Sequence, residues 1–190
     1  MKQLEQKAEY ILSILEELLD MENEYYEWDL FTTLKEELGD DYPIEITQNI
    51  GAVFIKPGTI PYVKAPLIVI NDTIKIADFD LLHLLAHEFR HFWQTKQRNQ
   101  LWINEFESTP RKRGIDEDSS IEQLKTDALT LDTEKDAYAF QIVFVKLMFE
   151  HKNIDFPEPS GKFYELIKDK VDSLYNLYKE KFNKIMKKRR

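Results

Sequence analysis

The chain has 190 residues and a mass of 22.7 kDa, the size of one ordinary domain, and its 43% hydrophobic and 32% charged residues exclude disordered, collagen-like and low-complexity classes. Acidic residues outnumber basic ones 35 to 26, a net charge of −9, which argues against a chain built to grip phosphate backbones, so no nucleic-acid partner is expected. There is no cysteine, which removes disulfides, thiolate nucleophiles and Cys-ligated metals, and no apolar run reaches the about 18 residues of a membrane span. The start, Met1 to Gln6, lacks the basic, apolar and small-residue zones of a secretory signal. With the absence of cysteine, this gives the cytoplasm as the expected location.

In chain order, Leu4, Ala8, Ile11, Leu12, Leu15, Leu18 and Leu19 recur at three and four, which predicts an amphipathic helix. A second helix is expected from about Glu27 to Leu38, ended by Gly39 as a left-handed cap. Pro43 to Thr47, Gly51 to Lys56 and Tyr62 to Asn71 are rich in Ile and Val, are punctuated by Pro57-Gly58 and Pro61, and read as strands of a small, mostly antiparallel sheet. Helical periodicity returns from about Asp78 to Gln97. Leu101 to Leu131, with Pro110 and Gly114, reads as a loop with a short helix near Ile121–Ala128, long enough for a lid or a recognition element. Thr133 and Asp136 resemble a capping box before a helix running to about Glu150. Asn153 to Gly161, with Pro157 and Pro159, links it to a last helix from Lys162 to about Lys187. The expected organisation is one α+β domain: an N-terminal helical layer over 1–40, a core over 43–151 and a C-terminal helix over 160–190.

The chemistry concentrates on the third of these helices, where His87-Glu88-Phe89-Arg90-His91 spells H-E-x-x-H. Residues four apart on a helix share a face, about 6 Å apart along the axis, so two imidazoles can converge on one metal ion while Glu88 stands beside it as a general base. The apolar run Leu81, Leu82, Leu84, Leu85, Ala86 is what a core helix needs just before such a site. A catalytic zinc takes three protein ligands and keeps one position open. The metzincin continuation fails, because Gln94 and Gln97 stand where Gly and His belong. The candidates left for the third ligand are His151 and the downstream acidic residues. Among these Glu134 stands out, in the first turn of a helix with a small Ala137 three residues on that permits close approach of the motif helix.

His87-Glu88-Phe89-Arg90-His91, then Gln94, then Glu134-x-x-Ala137 with Phe140, resembles the gluzincin zinc peptidases. The likeness is greatest to the ImmA/IrrE type and related bacterial and phage-borne families, which share H-E-x-x-H followed by E-x-x-A-(N/D)-x-F-A on the next major helix. It covers Ile68 to Leu147. The resemblance implies a zincin-like fold, zinc held by His87, His91 and Glu134, Glu88 as general base, and hydrolysis of a peptide bond in a protein or peptide partner. Tyr138 stands where those families often have Asn or Asp, and Gln141 where they have Ala.

Asp136 is the runner-up ligand, with a helix-cap role preferred for it. His151 is expected at the surface at the far end of the same helix, and His83 as a core histidine rather than a contact of the site. Tyr138, one turn after Glu134, is the first choice for an oxyanion donor, with Tyr62 and Tyr164 as alternatives. Pro66 to Asn71 is the candidate substrate edge, an ordinary buried strand being the equal alternative. Phe89, Phe92, Trp93 and Trp102 are expected in the core rather than in a specificity pocket. Arg111 to Arg113, Lys184 and Lys187 to Arg190 read as a solvated loop and a cationic helix end. The expected function is zinc-dependent peptide-bond hydrolysis of narrow specificity. The alternatives are a zinc-binding regulatory or interaction protein with an inert or structural site, and a helical module with an accidental motif.

Overall fold

A computed structural model of the chain describes residues 2–39, 50–58, 63–97 and 131–189. Among these lie five helices and three short strands, an α+β arrangement: α1 (Lys2–Leu19), β1 (Glu27–Leu30), α2 (Phe31–Leu38), β2 (Ala52–Ile55), β3 (Leu67–Ile70), α3 (Asp78–Lys96), α4 (Asp132–His151) and α5 (Lys162–Lys188). The expected strand at Pro43–Thr47 and the segment from Leu101 to Thr130, with Trp102 and the Arg111–Arg113 cluster, lie outside the described residues, as does Tyr62.

α1 buries the apolar stripe read from its spacing, Ala8, Ile11, Leu12, Leu15, Leu18 and Leu19, and adds Ile14. It ends where Asp20 takes a positive φ of 56° and Met21 N–H reaches back to Glu16 C=O at 2.8 Å, closing the last carbonyls as helix ends require. The next segment departs from expectation, because Glu27–Leu30 is a strand and the helix begins only at Phe31. The reason is tertiary. Glu27 to Leu30 pair with Leu67 to Ile70, and Asp72 receives the Thr32 N–H at 3.0 Å and the Thr32 hydroxyl, capping α2 from forty residues away. Gly39 closes α2 with φ +57°, its N–H donating to Lys35 C=O.

The sheet order is β1-β3-β2, with β3 parallel to β1 and antiparallel to β2. It is therefore mixed rather than mostly antiparallel, since the chain between β1 and β3 is long enough for the crossover a parallel pair needs. β3 is the central strand and is buried along its whole length, so Pro66–Asn71 is not a free edge for substrate. Its two faces feed different cores. Ile68 and Ile70 join the main core with Leu85, Phe89 and Phe92 of α3, while Leu67 and Val69 pack with Ile55 under Phe31 and Leu34 of α2.

α3 packs most extensively on α4, α4 on α5, and α1 on both α3 and α5. α5 buries Ile167, Val171, Leu174, Tyr178, Phe182 and Ile185 at helical spacing, and Arg189 at its end pins it to α1 through Ser13 and Glu17. No described helix is long and apolar enough to cross a membrane.

Candidate metal centre

His87 and His91 project from one face of α3 toward the first turn of α4. Their Nε2 atoms are 3.0 Å apart, and Glu134 places Oε2 3.3 Å from His87 Nε2 and Oε1 3.3 Å from His91 Nε2. α4 comes this close because Ala137, one turn after Glu134, and Ala139 are fully buried and small. Among the described residues these three are the His and acidic side chains grouped closely enough to hold a metal ion. Glu134 keeps 18% of its side chain exposed and His87 13%, which leaves the group reachable from solvent.

The next layer fixes which ring nitrogens face inward. Gln94 Nε2 donates to Thr133 C=O and to Asp136 Oδ2, both at 3.0 Å, so its carbonyl oxygen is the atom 3.0 Å from His91 Nδ1. Gln141 Oε1 lies 3.1 Å from His87 Nδ1. An amide oxygen only accepts, so each Nδ1 carries the proton and each Nε2 presents a lone pair. Two lone pairs and a carboxylate then converge within 3.3 Å, an arrangement that repels itself unless a cation or protons lie among the three atoms. Ligands at the zinc distances of about 2.0–2.1 Å in a tetrahedron stand roughly 3.3 Å from one another, so the donor set fits such an ion in both chemistry and spacing. Gln141 thus supplies a contact to His87 from the position where the resembling families have Ala.

The protonation tendencies share this origin. Burial works against ionisation of Glu134, but hydrogen bonds and charge from His87 and His91 hold its carboxyl well below the usual range. His91 is opposed by burial too, yet Glu134 and Glu88 raise it above the ordinary histidine value. Glu88 is pushed up by burial, against the pull of His87, His91 and the Phe54 N–H, which donates to Glu88 Oε2 at 2.8 Å. That N–H comes from β2, which runs beside α3 and starts where Gly51 meets it: a Cβ at Gly51 would lie 2.5 Å from Leu84 Cδ1. The ring of Tyr138 stands edge-on to His87 at 4.6 Å and to Phe163 of α5 at 5.2 Å, and burial followed by Glu134 and Glu88 raises its hydroxyl.

Other expected residues lie elsewhere. Asp136 neither caps α4, whose N-cap is Leu131 with no side-chain cap, nor joins the three ligands. It pairs with Arg90 at 2.7 Å, and Arg90, Gln94 and Lys170 outweigh burial to keep its carboxyl low. The preference for a cap fails because Arg90, buried between Trp93 and Phe140, needs a counterion more than the helix start needs a fourth acceptor. His83, half-buried against Phe79, has its pKa lowered by burial, and His151 sits at the far end of α4 near Phe182. Phe89 and Phe92 are fully buried core, and Tyr164 packs partly buried against it. Sequence reasoning missed the roles of Gln141 and Phe54. For Gln141 the only signal is its place two turns after Glu134 on the same helix face.

The result is an α+β arrangement in which the two most extensively packed helices, α3 and α4, bring together a His–His–carboxylate group able to bind a metal ion. No family model matches the chain, and neither a curated protein nor a solved structure matches it.

Proposed function

We propose that this protein is a zinc-dependent peptidase of the gluzincin kind, similar to the ImmA/IrrE type, with a zincin-like core formed by β2, β3, α3 and α4. The observation that supports it most is the convergence of His87 Nε2, His91 Nε2 and the Glu134 carboxylate, each imidazole nitrogen 3.3 Å from one of its oxygens, beside the Glu88 carboxylate. Two neutral imidazoles and one carboxylate suit zinc better than the oxygen-seeking calcium or magnesium. Zinc bound there supplies Lewis acidity toward a substrate carbonyl and an attacking water.

The chain's own residues do the rest. Glu88 accepts the proton of the water and returns it to the leaving amine, and burial raises its pKa above the ordinary carboxyl value. Phe54 N–H holds Oε2 and so aims the carboxylate. The Tyr138 hydroxyl, kept protonated by its raised pKa, is the donor for the developing oxyanion. With β3 paired on both sides, the sheet edge beside α3 among the described residues is that of β2, where an extended peptide has its place. The partner is a protein or peptide, with no nucleic acid or membrane in the reading.

The test incubates zinc-loaded wild type and Glu88→Gln with a proteome-derived peptide library and reads new termini by mass spectrometry. Cleavage by wild type, reduced about 10²–10⁴-fold in Glu88→Gln with zinc retained, is expected. Bound zinc with no cleavage overturns the peptidase and leaves an inert zinc site in a regulatory or interaction protein; equal cleavage by both proteins overturns hydrolysis at this site by Glu88.

A further inference from the structure

We propose that Asp136 is a positioning residue for His91, acting through the side-chain amide of Gln94; the role rests on the reading of His91 as a metal ligand. Asp136 Oδ2 accepts from Arg90 Nε at 2.7 Å and from Gln94 Nε2 at 3.0 Å, while Oδ1 faces Arg90 Nη2 at 3.3 Å and Lys170 Nζ at 3.4 Å. Both oxygens are engaged by Arg90, Gln94 and Lys170, which holds the carboxylate away from the three-residue group. Arg90 is itself held by its neighbours. Its guanidinium lies 3.7 Å from the Trp93 ring centroid, and Nη1 donates to the Tyr178 hydroxyl of α5 at 3.1 Å.

The direction of the Gln94 amide follows from this carboxylate. With Asp136 and the Thr133 carbonyl both accepting from Nε2, the amide cannot reverse without setting its oxygen against two acceptors. Its oxygen therefore faces His91 Nδ1, which keeps the ring proton there and the lone pair on Nε2, toward Glu134. Without Asp136 only the Thr133 carbonyl still opposes a turn of the NH₂ to Nδ1. Such a turn favours the tautomer with hydrogen on Nε2, and that hydrogen must leave the nitrogen before a metal can bind there.

Two readouts test this on the full chain. The first is the His91 tautomer in the metal-free protein, from long-range proton–nitrogen correlation of the imidazole well above the histidine titration range. The second is zinc affinity by competition with a chromophoric chelator. Wild type is expected to hold a larger share of the Nδ1–H form than Gln94→Leu and Asp136→Leu, which are expected to bind zinc about 10–100-fold more weakly. The combined variant is expected to be no weaker than the weaker single one. Because Asp136→Leu strands the Arg90 charge, the pair Arg90→Met with Asp136→Leu is made alongside, and the same loss is expected of it. An unchanged tautomer and affinity in that pair, or single effects that multiply in the Gln94→Leu/Asp136→Leu protein, overturns the proposal. Absence of zinc binding by wild type refutes the metal reading instead, and the tautomer still decides the role of Asp136.

Discussion

Burial holds the Glu88 carboxyl above its ordinary range, so its ionised form costs stability that its chemistry requires. Glu88→Gln is expected to keep the Phe54 contact, to slow hydrolysis and to stabilise the fold by about 1 kcal/mol, read by urea unfolding. A destabilised variant contradicts the burial argument. The pH dependence of the metal-free protein follows from three shifts with their signs. His91, raised above 6.5, contributes stability that is complete below that value and lost as pH climbs through its folded pKa. Glu88, raised above 4.5, likewise favours the fold only while it stays protonated. Glu134, lowered from 4.5, contributes above that value and is lost only as pH falls through its depressed pKa. Thermal melting in chelator is therefore expected to fall from about pH 5.5 to about pH 8.5, and added zinc to stabilise more at the higher pH, where no proton competes for Nε2. Chelated protein that melts higher at the alkaline end contradicts the assignment.

At the scale of elements, the site depends on the approach of α4 to α3 over Ala137. Ala137→Leu is expected to destabilise by about 1–3 kcal/mol and to weaken zinc binding as well, because added methylenes wedge the helix that carries Glu134 away from the one that carries the histidines. Unfolding and chelator competition read the two effects, and wild-type zinc affinity in this variant contradicts the wedge. The same scale explains what was legible beforehand. The stripes of α1, α3, α4 and α5 are long enough to show the helical period, and their limits fall within a few residues of those read from spacing. The four residues of β1 are too few to show alternation, and Trp28, Leu30, Phe31 and Leu34 mimic a helical face; β3, about forty residues on, decides the matter. His87, Glu88 and His91 are readable because one helix spaces them. The bonds that Gln94, Gln141 and Asp136 make between helices have no sequence signal beyond the interval of three that sets Gln94 beside His91 and the two turns from Glu134 to Gln141.

Over the whole molecule, the described residues form a main core of α1, α3, α4 and α5 with one sheet face, and a small second core under α2. The site lies where α4 meets α3, with α5 reaching it through Tyr178, Lys170 and Phe163. A ligand that binds only the folded chain stabilises it by about 2.7 kcal/mol at one hundred times its Kd. For a chain of 190 residues, zinc at that excess is expected to raise Tm by roughly 5–10 °C in wild type and not in His87→Ala. An equal rise in both places the zinc elsewhere. The central claim is the three-residue centre itself, and the most direct test is metal content by mass spectrometry on untagged protein prepared without chelator, for wild type beside His87→Ala and Glu134→Ala. About one zinc per wild-type chain, lost from both variants, is the expected result. A wild type free of metal, or a Glu134→Ala protein that keeps its full complement, contradicts it.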